Sequence, residues 1–325
     1  MAIFKNKLQK MPRLHSSGYK GYLAKYQIVI AFVIISILLS VATPNFFSVQ
    51  NMVIVLRQIS INGILAVGVT FVIIAGGIDL SLGSVIALTG VVAAMFAHLG
   101  AYPLIVSLCL AILTGIVIGT VNGLTITKGK VAPFIVTLGM MTIARGLALL
   151  LSNGRPVSNL SKSFNFIGGG DIFNVPVPII IFVIVIILAS VTLNYTKTGR
   201  YIYAVGGNEN AAMASGINVN RVKMFTYVVC SGLAALAGII LASRITTGQP
   251  NAGVAYELDA IAAVVIGGTS LSGGIGSIIG TVLGALIIGV INNGLDLLNI
   301  TSYYQQIIKG IIIVGAVLID RNKTT

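Results

Sequence analysis

Residues 80–127 read LSLGSVIALTGVVAAMFAHLGAYPLIVSLCLAILTGIVIGTVNGLTIT, 48 consecutive positions without one charged side chain. A helix needs about 20 apolar residues to cross the hydrocarbon layer of a bilayer, so this run holds two crossings. The polar, proline-containing segment from His98 to Pro103 reads as the hairpin turn between them.

The rest of the chain has the same character. Of 325 residues, 56% are apolar and 8% charged, where a soluble domain carries roughly 25% charge. A soluble fold is excluded. The 38 glycines do not mark disorder, because disordered chains are poor in apolar residues and rich in charge. A net charge of +13 suits a nucleic-acid partner only when the basic residues form a face or stripe. Here they gather in short segments between long uncharged runs, as orienting charges beside membrane spans do, and no nucleic acid is expected. Cys109 and Cys230 lie inside apolar runs and read as packing residues, not as a disulfide or metal framework.

Further charge-free intervals of 31 residues after Lys25, 21 after Arg57, 25 after Asp171, 20 after Lys223 and 36 after Asp259 extend the pattern. The last is divided by the glycine and serine run from Gly267 to Gly274. With spans around Val131 to Leu151 and Tyr303 to Ile319, an all-α polytopic membrane protein of about ten transmembrane helices is predicted: 27–44, 53–75, 82–97, 103–127, 131–151, 176–195, 223–243, 256–271, 275–294 and 303–319. With the N-terminus in the cytoplasm, one side receives fourteen Lys and Arg and the other three, Arg155, Lys162 and Arg244. That asymmetry puts both termini inside. The expected layout is a basic cytoplasmic segment 1–26, a transmembrane domain 27–320 and a cytoplasmic tail 321–325, with an external loop 152–175 and a cytoplasmic loop 196–222. The first span is expected to be an uncleaved anchor, since its leader is too long for a signal peptide and further spans follow. The external loop reads either as a docking surface or as a simple connector.

Enzyme chemistry finds no footing. The nearest imitation of a P-loop, Gly123 to Val131, has five residues between its glycines where four are required, and Val131 stands where Ser or Thr should hold magnesium. His15 and His98 are the only histidines. No metal spacing, paired catalytic carboxylates or Ser/His/Asp set stands out, so no catalytic residue, metal or cofactor is expected.

Two glycine sets recur at a spacing of four, Gly115, Gly119 and Gly123 in the fourth span and Gly276, Gly280 and Gly284 in the ninth. Each set falls on one helix face and lets a neighbouring backbone approach closely. They lie 161 residues apart, about half the chain, and halves of five spans each would have inverted topology. Glycine enrichment common to polytopic proteins accounts for the spacing equally well. A second echo, Gly76-Gly77-Ile78-Asp79-Leu80-Ser81 beside Gly267-Gly268-Thr269-Ser270-Leu271-Ser272, has an offset of 191 and does not support the same repeat. Among polar residues in or beside the spans, Arg145, Asp79, Asn122, Asn292 and Asn293 are functional candidates. Arg57 and Lys309 read rather as snorkelling side chains. The acids sit at span ends or in loops, which argues against a proton-driven carrier.

In the loop 196–222, Asn208 is placed to cap a short helix Glu209 to Ser215, with Glu209 favourable in its first turn and Gly216 suited to a left-handed stop. Such a helix is a rigid knob able to pass a push from a soluble partner to the adjoining spans. The same pattern also fits an exposed connector that happens to be helical.

Here the sequence resembles a known family. Thr198 to Glu209 and Ser215 to Asn220, together with Thr43 to Phe47, Gly77 to Ser81, Phe134 to Gly146, Tyr256 to Val265, Gly267 to Ser272, Asn292 to Gly294 and Ser302 to Gln305, resemble the permeases of bacterial ABC importers for monosaccharides such as ribose, xylose, arabinose and galactose. The resemblance covers nearly the whole chain beyond its first 26 residues. It implies the ABC importer permease fold, a homodimeric core in the cytoplasmic membrane, an ATP-binding subunit docked on the inner face and an extracellular sugar-binding protein delivering the monosaccharide outside. In that frame Gly199, Arg200, Gly206, Gly207, Asn208, Glu209, Ala212 and Gly216 are the coupling element. Asp79, Asn122, Arg145, Asn292 and Asn293 are the candidate translocation path. The expected activity is inward movement of ribose or a similar sugar by alternating access, with ATP hydrolysis on a separate chain. The rivals are a stand-alone secondary transporter driven by an ion gradient, and a membrane-embedded enzyme or scaffold.

Overall fold

The computed structural model describes residues 18–98 and 102–324. Residues 1–17 of the basic segment, the middle of the turn from His98 to Pro103, and Thr325 of the tail lie outside the described residues. In lipid a backbone must satisfy its own N–H and C=O groups, and the apolar runs do so as helices. In chain order these are α1 (Gly18–Ala42), α2 (Val49–Ile74), α3 (Leu82–Phe96), α4 (Leu104–Thr127), α5 (Pro133–Leu151) and α6 (Lys162–Gly169), then a two-stranded hairpin β1 (Asp171–Ile172) and β2 (Val175–Pro176). There follow α7 (Val177–Tyr195), α8 (Lys197–Gly207), α9 (Glu209–Ala214), α10 (Val219–Arg244), α11 (Tyr256–Ile266), α12 (Ile278–Leu297) and α13 (Ser302–Thr324). The strands are antiparallel, with Asp171 opposite Pro176 and Ile172 opposite Val175.

Local chemistry sets the boundaries. Ser48 and Ser277 accept from the N–H groups of Asn51 and Gly280 at the starts of α2 and α12, each satisfying one donor that a helix start leaves free. Pro133 opens α5, where its missing N–H costs nothing.

At the centre, α2 and α10 pack against each other. From Ile59 to Ile74 every residue of α2 is buried, the mark of a helix enclosed on all sides. The helices α3 and α4 cover α10, α11 and α12 cover α2, and α5, α13, α7 and α1 pack outside these on α3, α11, α2 and α12. The glycines of α4 seat it on α10: a Cβ at Gly115, Gly119 or Gly123 would strike the backbone at Ser231, Tyr227 or Met224. Gly280 and Gly284 of α12 bear instead on the carbonyl of Gly267, which follows α11, and on that of Ala263 within it.

Among the described residues six helices are long and apolar enough to cross a membrane: α2, α4, α5, α7, α10 and α12. Two of the ten predicted spans are helices too short to cross alone, and the second also needs its bounds corrected. The span predicted at 82–97 is a helix of 15 residues, and that at 256–271 has 11 helical residues, ending at Ile266. The last five residues of the latter are loop, because Gly268 takes positive φ and breaks the helix, as Gly273 and Gly274 do beyond it. Gly276 accordingly lies before α12 and not within it.

Candidate functional site

The two short helices start at one place and run to opposite ends of the bundle. Gly83, in the first turn of α3, lies so close to the Gly253 carbonyl and the Glu257 carboxylate that a Cβ there would overlap both. From this point α3 runs to the end that carries α6 and the hairpin, where the Ala97 carbonyl accepts from Ser161 N–H at 2.8 Å. The helix α11 runs the other way, toward α8. At 1.5 Å per residue they are about 22 and 16 Å long, and together they match one hydrocarbon thickness of about 30 Å with some excess. Each is completed by non-helical chain. Residues 75–81 rise from the end of α2 to α3, and residues 245–255 descend alongside α3, where Gly248 lies on Gly90 and Ala94 and Gly253 on Gly83. Discontinuous helices of this kind are typical of transporter binding sites.

The polar residues in the spans form three separate knots. Asp79 Oδ1 accepts from the N–H and hydroxyl of Ser81 at 2.9 and 2.6 Å, and Asn122 Nδ2 donates to Ser81 Oγ at 3.3 Å. Both Asp79 and Asn122 are fully buried, so α4 is clamped to the start of α3. Lys309 on α13 pairs with Asp259 on α11 at 2.8 Å, and Asn292 donates to the same carboxylate oxygen at 3.3 Å. Lys309 therefore does not snorkel: a carboxylate sealed inside the bundle holds it. Asn293 faces elsewhere, exchanging amide hydrogen bonds with Asn51. Arg57 also has a partner, Asp171 of the hairpin at 2.7 Å. The second oxygen of Asp79 and the amide oxygens of Asn122 and Asn292 have no hydrogen-bond partner among the described residues.

Arg145 belongs to a further site. From α5 its Nη1 donates to the carbonyls of Pro250 and Ala252 at 2.6 and 2.9 Å, strapping the descending segment beside the meeting point of α3 and α11.

At the opposite end, Thr196 caps α8 through Gly199 N–H, and Asn208 caps α9 through Ala211 N–H at 2.9 Å. The turn after α9 closes by Gly216 N–H to the Met213 carbonyl and Ile217 N–H to the Ala212 carbonyl, with Gly216 at φ +82°. This is the double hydrogen-bond stop that favours glycine. Glu209 pairs with Lys223 at 2.6 Å, tying α9 to α10. The last turn of α8 is wedged into the bundle. A Cβ at Gly206 would fall on the Ile74 carbonyl, and Gly207 lies against Gly274. The Tyr203 hydroxyl donates to the Gly276 carbonyl at 2.9 Å, and burial raises its pKa above the ordinary tyrosine value, so it stays a donor. Gly274 N–H in turn donates to the Ile74 carbonyl at 2.9 Å. The segments that echo each other in sequence, Gly76 to Ser81 and Gly267 to Ser272, thus adjoin one seat, each beside a half-helix.

Of the candidate coupling residues, Gly206 and Gly207 touch the bundle, Ala212 and Gly199 are buried, and Arg200, Asn208, Glu209 and Gly216 are exposed. Sequence reasoning missed α8 as a helix, the Tyr203 hydrogen bond and the return of residues 245–255 alongside α3. Thr196 three residues before Gly199 was the available capping signal, and Gly248, Pro250 and Gly253 marked the segment as non-helical.

Six long apolar helices, two of them at the centre, packed with two opposed half-helices define the class, a multi-pass membrane protein. The chain belongs to the family described as branched-chain amino acid transport system / permease component, whose model matches residues 51–317. It is 49% identical to the ribose import permease protein of Haemophilus influenzae, over 92% of this chain and 94% of that protein. It is 48% identical to the ribose import permease protein of Bacillus subtilis, over 96% of each. Its identity to the L-arabinose transport system permease protein of Escherichia coli is 40%, over 92% of this chain and 91% of the relative. No solved structure matches the chain.

Proposed function

We propose that this chain is the permease subunit of an ATP-driven importer that carries ribose or a similar monosaccharide across the bacterial cytoplasmic membrane. The observation that carries the reading is identity of nearly one half, over more than nine-tenths of the chain, to proteins named as ribose import permeases. The chain itself is not an enzyme. A separate ATP-binding subunit docks on α8 and α9 from the cytoplasm, with Gly199 to Gly216 as the coupling element. An extracellular sugar-binding protein delivers cargo at the α6 and hairpin end, and two copies of the chain form the core. Both termini are cytoplasmic.

The seat of α8 on both breaks supports alternating access. A push on one short helix bears on the ends of two half-helices, and nucleotide shifts the conformational equilibrium by its differential affinity for the two states. We assign Arg145 to the path itself, and Asp79, Asn122, Asn292 and Asn293 to the knots that hold its walls. Ten crossings remain the count when α3 and α11 are each completed by their non-helical segments. An inverted repeat pairs α2–α5 with α10–α13. Their starts are offset by 170, 174, 174 and 169 residues, and α4 packs on α10 as α12 does on α2, α3 on α10 as α11 on α2, and α5 on α3 as α13 on α11. The glycine sets, offset by 161 and seated on non-equivalent neighbours, are not its signature.

Uptake of labelled ribose into membrane vesicles containing the chain, its ATP-binding partner and the binding protein tests the reading. Accumulation that needs all three and ATP is expected. Accumulation by the chain alone under a proton or sodium gradient would sink it.

A further inference from the structure

We propose that Glu257 contacts the cargo, its carboxylate accepting hydrogen bonds from sugar hydroxyls where the two half-helices meet, while Arg145 donates to the same molecule. The inference rests on the importer reading above and names a residue for it.

Of the acids lying between the two ends of the bundle, Asp79 and Asp259 are buried and held by Ser81 and by Lys309. Glu257 is only half-buried and has no ion pair among the described residues. Its carboxylate lies over the first turn of α3 in space that Gly83 leaves open, since a Cβ there would overlap it. Near it in the chain, Asn251, Val254 and Leu258 are exposed. Arg145, also half-buried, spends only Nη1 on the Pro250 and Ala252 carbonyls. Its other guanidinium N–H groups make no hydrogen bond among the described residues.

An acid and a guanidinium, each with spare capacity, thus both lie along residues 250–257 beside the meeting point of α3 and α11. Facing lipid they would be costly, and such residues occur where a bundle interior or a water-filled cavity receives them. A carboxylate only accepts and a guanidinium only donates. A neutral polyol, every hydroxyl of which does both, can satisfy the two together, and hydrogen bonds to charged groups are stronger than neutral ones. Water replaces the sugar when the site is empty, so cargo need not be held tightly.

The test uses the assembled transporter in vesicles with saturating sugar-loaded binding protein, ribose, and its 2-, 3- and 5-deoxy derivatives as labelled probes. The E257Q variant is expected to lower ribose uptake about tenfold, the loss of one hydrogen bond to a charged group, and to erase the disadvantage of at least one deoxy sugar. Membrane content is expected to stay unchanged. The E257D variant is expected to keep the preference at reduced rate, and carries the same comparison if the amide variant does not insert. A wild-type pattern of rates across the four probes in E257Q overturns the role of Glu257 and leaves the importer reading intact. Failure of the wild-type assembly to move any of the four probes overturns the importer reading and this inference with it.

Discussion

Asn51 and Asn293 exchange two side-chain amide hydrogen bonds, 2.9 and 2.8 Å long, between positions 242 residues apart. Asn51 also donates to the Phe46 carbonyl at 2.8 Å, so this one pair joins the turn after α1, the start of α2 and the end of α12. Both amides are buried, and removing one strands the other. Asn293→Ala is expected to destabilise the purified protein by about 1–3 kcal/mol. Thermal unfolding in detergent checks it through a double-mutant cycle. The Asn51→Ala, Asn293→Ala double variant should lose less than the two single losses together, and simple additivity would show that the amides do not act as a pair.

Lys309 on α13 and Asp259 on α11 form the second long-range tie, and its two ends are unequal: the Asp259 side chain is 3% exposed, that of Lys309 21%. Taking away the lysine leaves a buried charge with only Asn292 to serve it. Breaking one side of such a pair costs about 3–5 kcal/mol, while removing both partners together costs far less. Lys309→Met is therefore expected to lower the melting temperature sharply, and Lys309→Met with Asp259→Asn to recover most of the loss. A double variant as unstable as the single one would show that α13 is held by something other than this pair.

Much of the helical architecture was readable from hydropathy, and the six long helices fall within a few residues of their predicted limits. The half-helix α3 was placed to within a residue, but the early end of α11 and the meeting of the two were not readable that way. The strap 245–255 fell between two predicted spans, its Gly248, Gln249, Pro250 and Asn251 reading as loop, but its return into the bundle depends on how closely α3 approaches. The cap of α9 was legible because Asn208, Glu209 and Gly216 act over a few residues. Its neighbour α8 was not, since its first turn is polar and Gly206 and Gly207 look like a breaker until Ile74 and Gly274 are seen against them. Lys309 read as a snorkelling residue because its partner lies 50 positions away, and no local pattern announces such a pairing.

Gly216 ends α9 at φ +82°, in the left-handed region where a Cβ costs about 1–2 kcal/mol. Asparagine tolerates that region better than other residues, and β-branched residues tolerate it least. Gly216→Val is expected to fray α9 and reduce ATP-dependent ribose uptake several-fold, while Gly216→Asn keeps most of it. The space beside Gly216 is open, and a Cβ there would meet no neighbour within 4 Å, so a difference between the two substitutions isolates backbone conformation from packing. Equal uptake in both variants would remove the stop at Gly216 from the coupling element.

Gly206 makes the opposite case, where φ is ordinary and space decides. Its Cα sits against the Ile74 carbonyl and the Gly274 amide, which are hydrogen-bonded to each other at 2.9 Å. Even one methyl group must push α8 off this seat, because both neighbours are backbone and neither can rotate away. Gly206→Ala is expected to leave the transmembrane helices inserted, since no span depends on the contact, but to loosen the link from α8 to both half-helices. ATP hydrolysis by the assembled transporter should then continue while sugar uptake falls by about tenfold or more. Tyr203→Phe removes only the hydrogen bond to Gly276, worth about 1 kcal/mol, and should give a partial form of the same uncoupling. Measuring hydrolysis and uptake on the same vesicles separates the two effects. A Gly206→Ala variant in which both rates fall in proportion would mean that the contact serves assembly and not transmission.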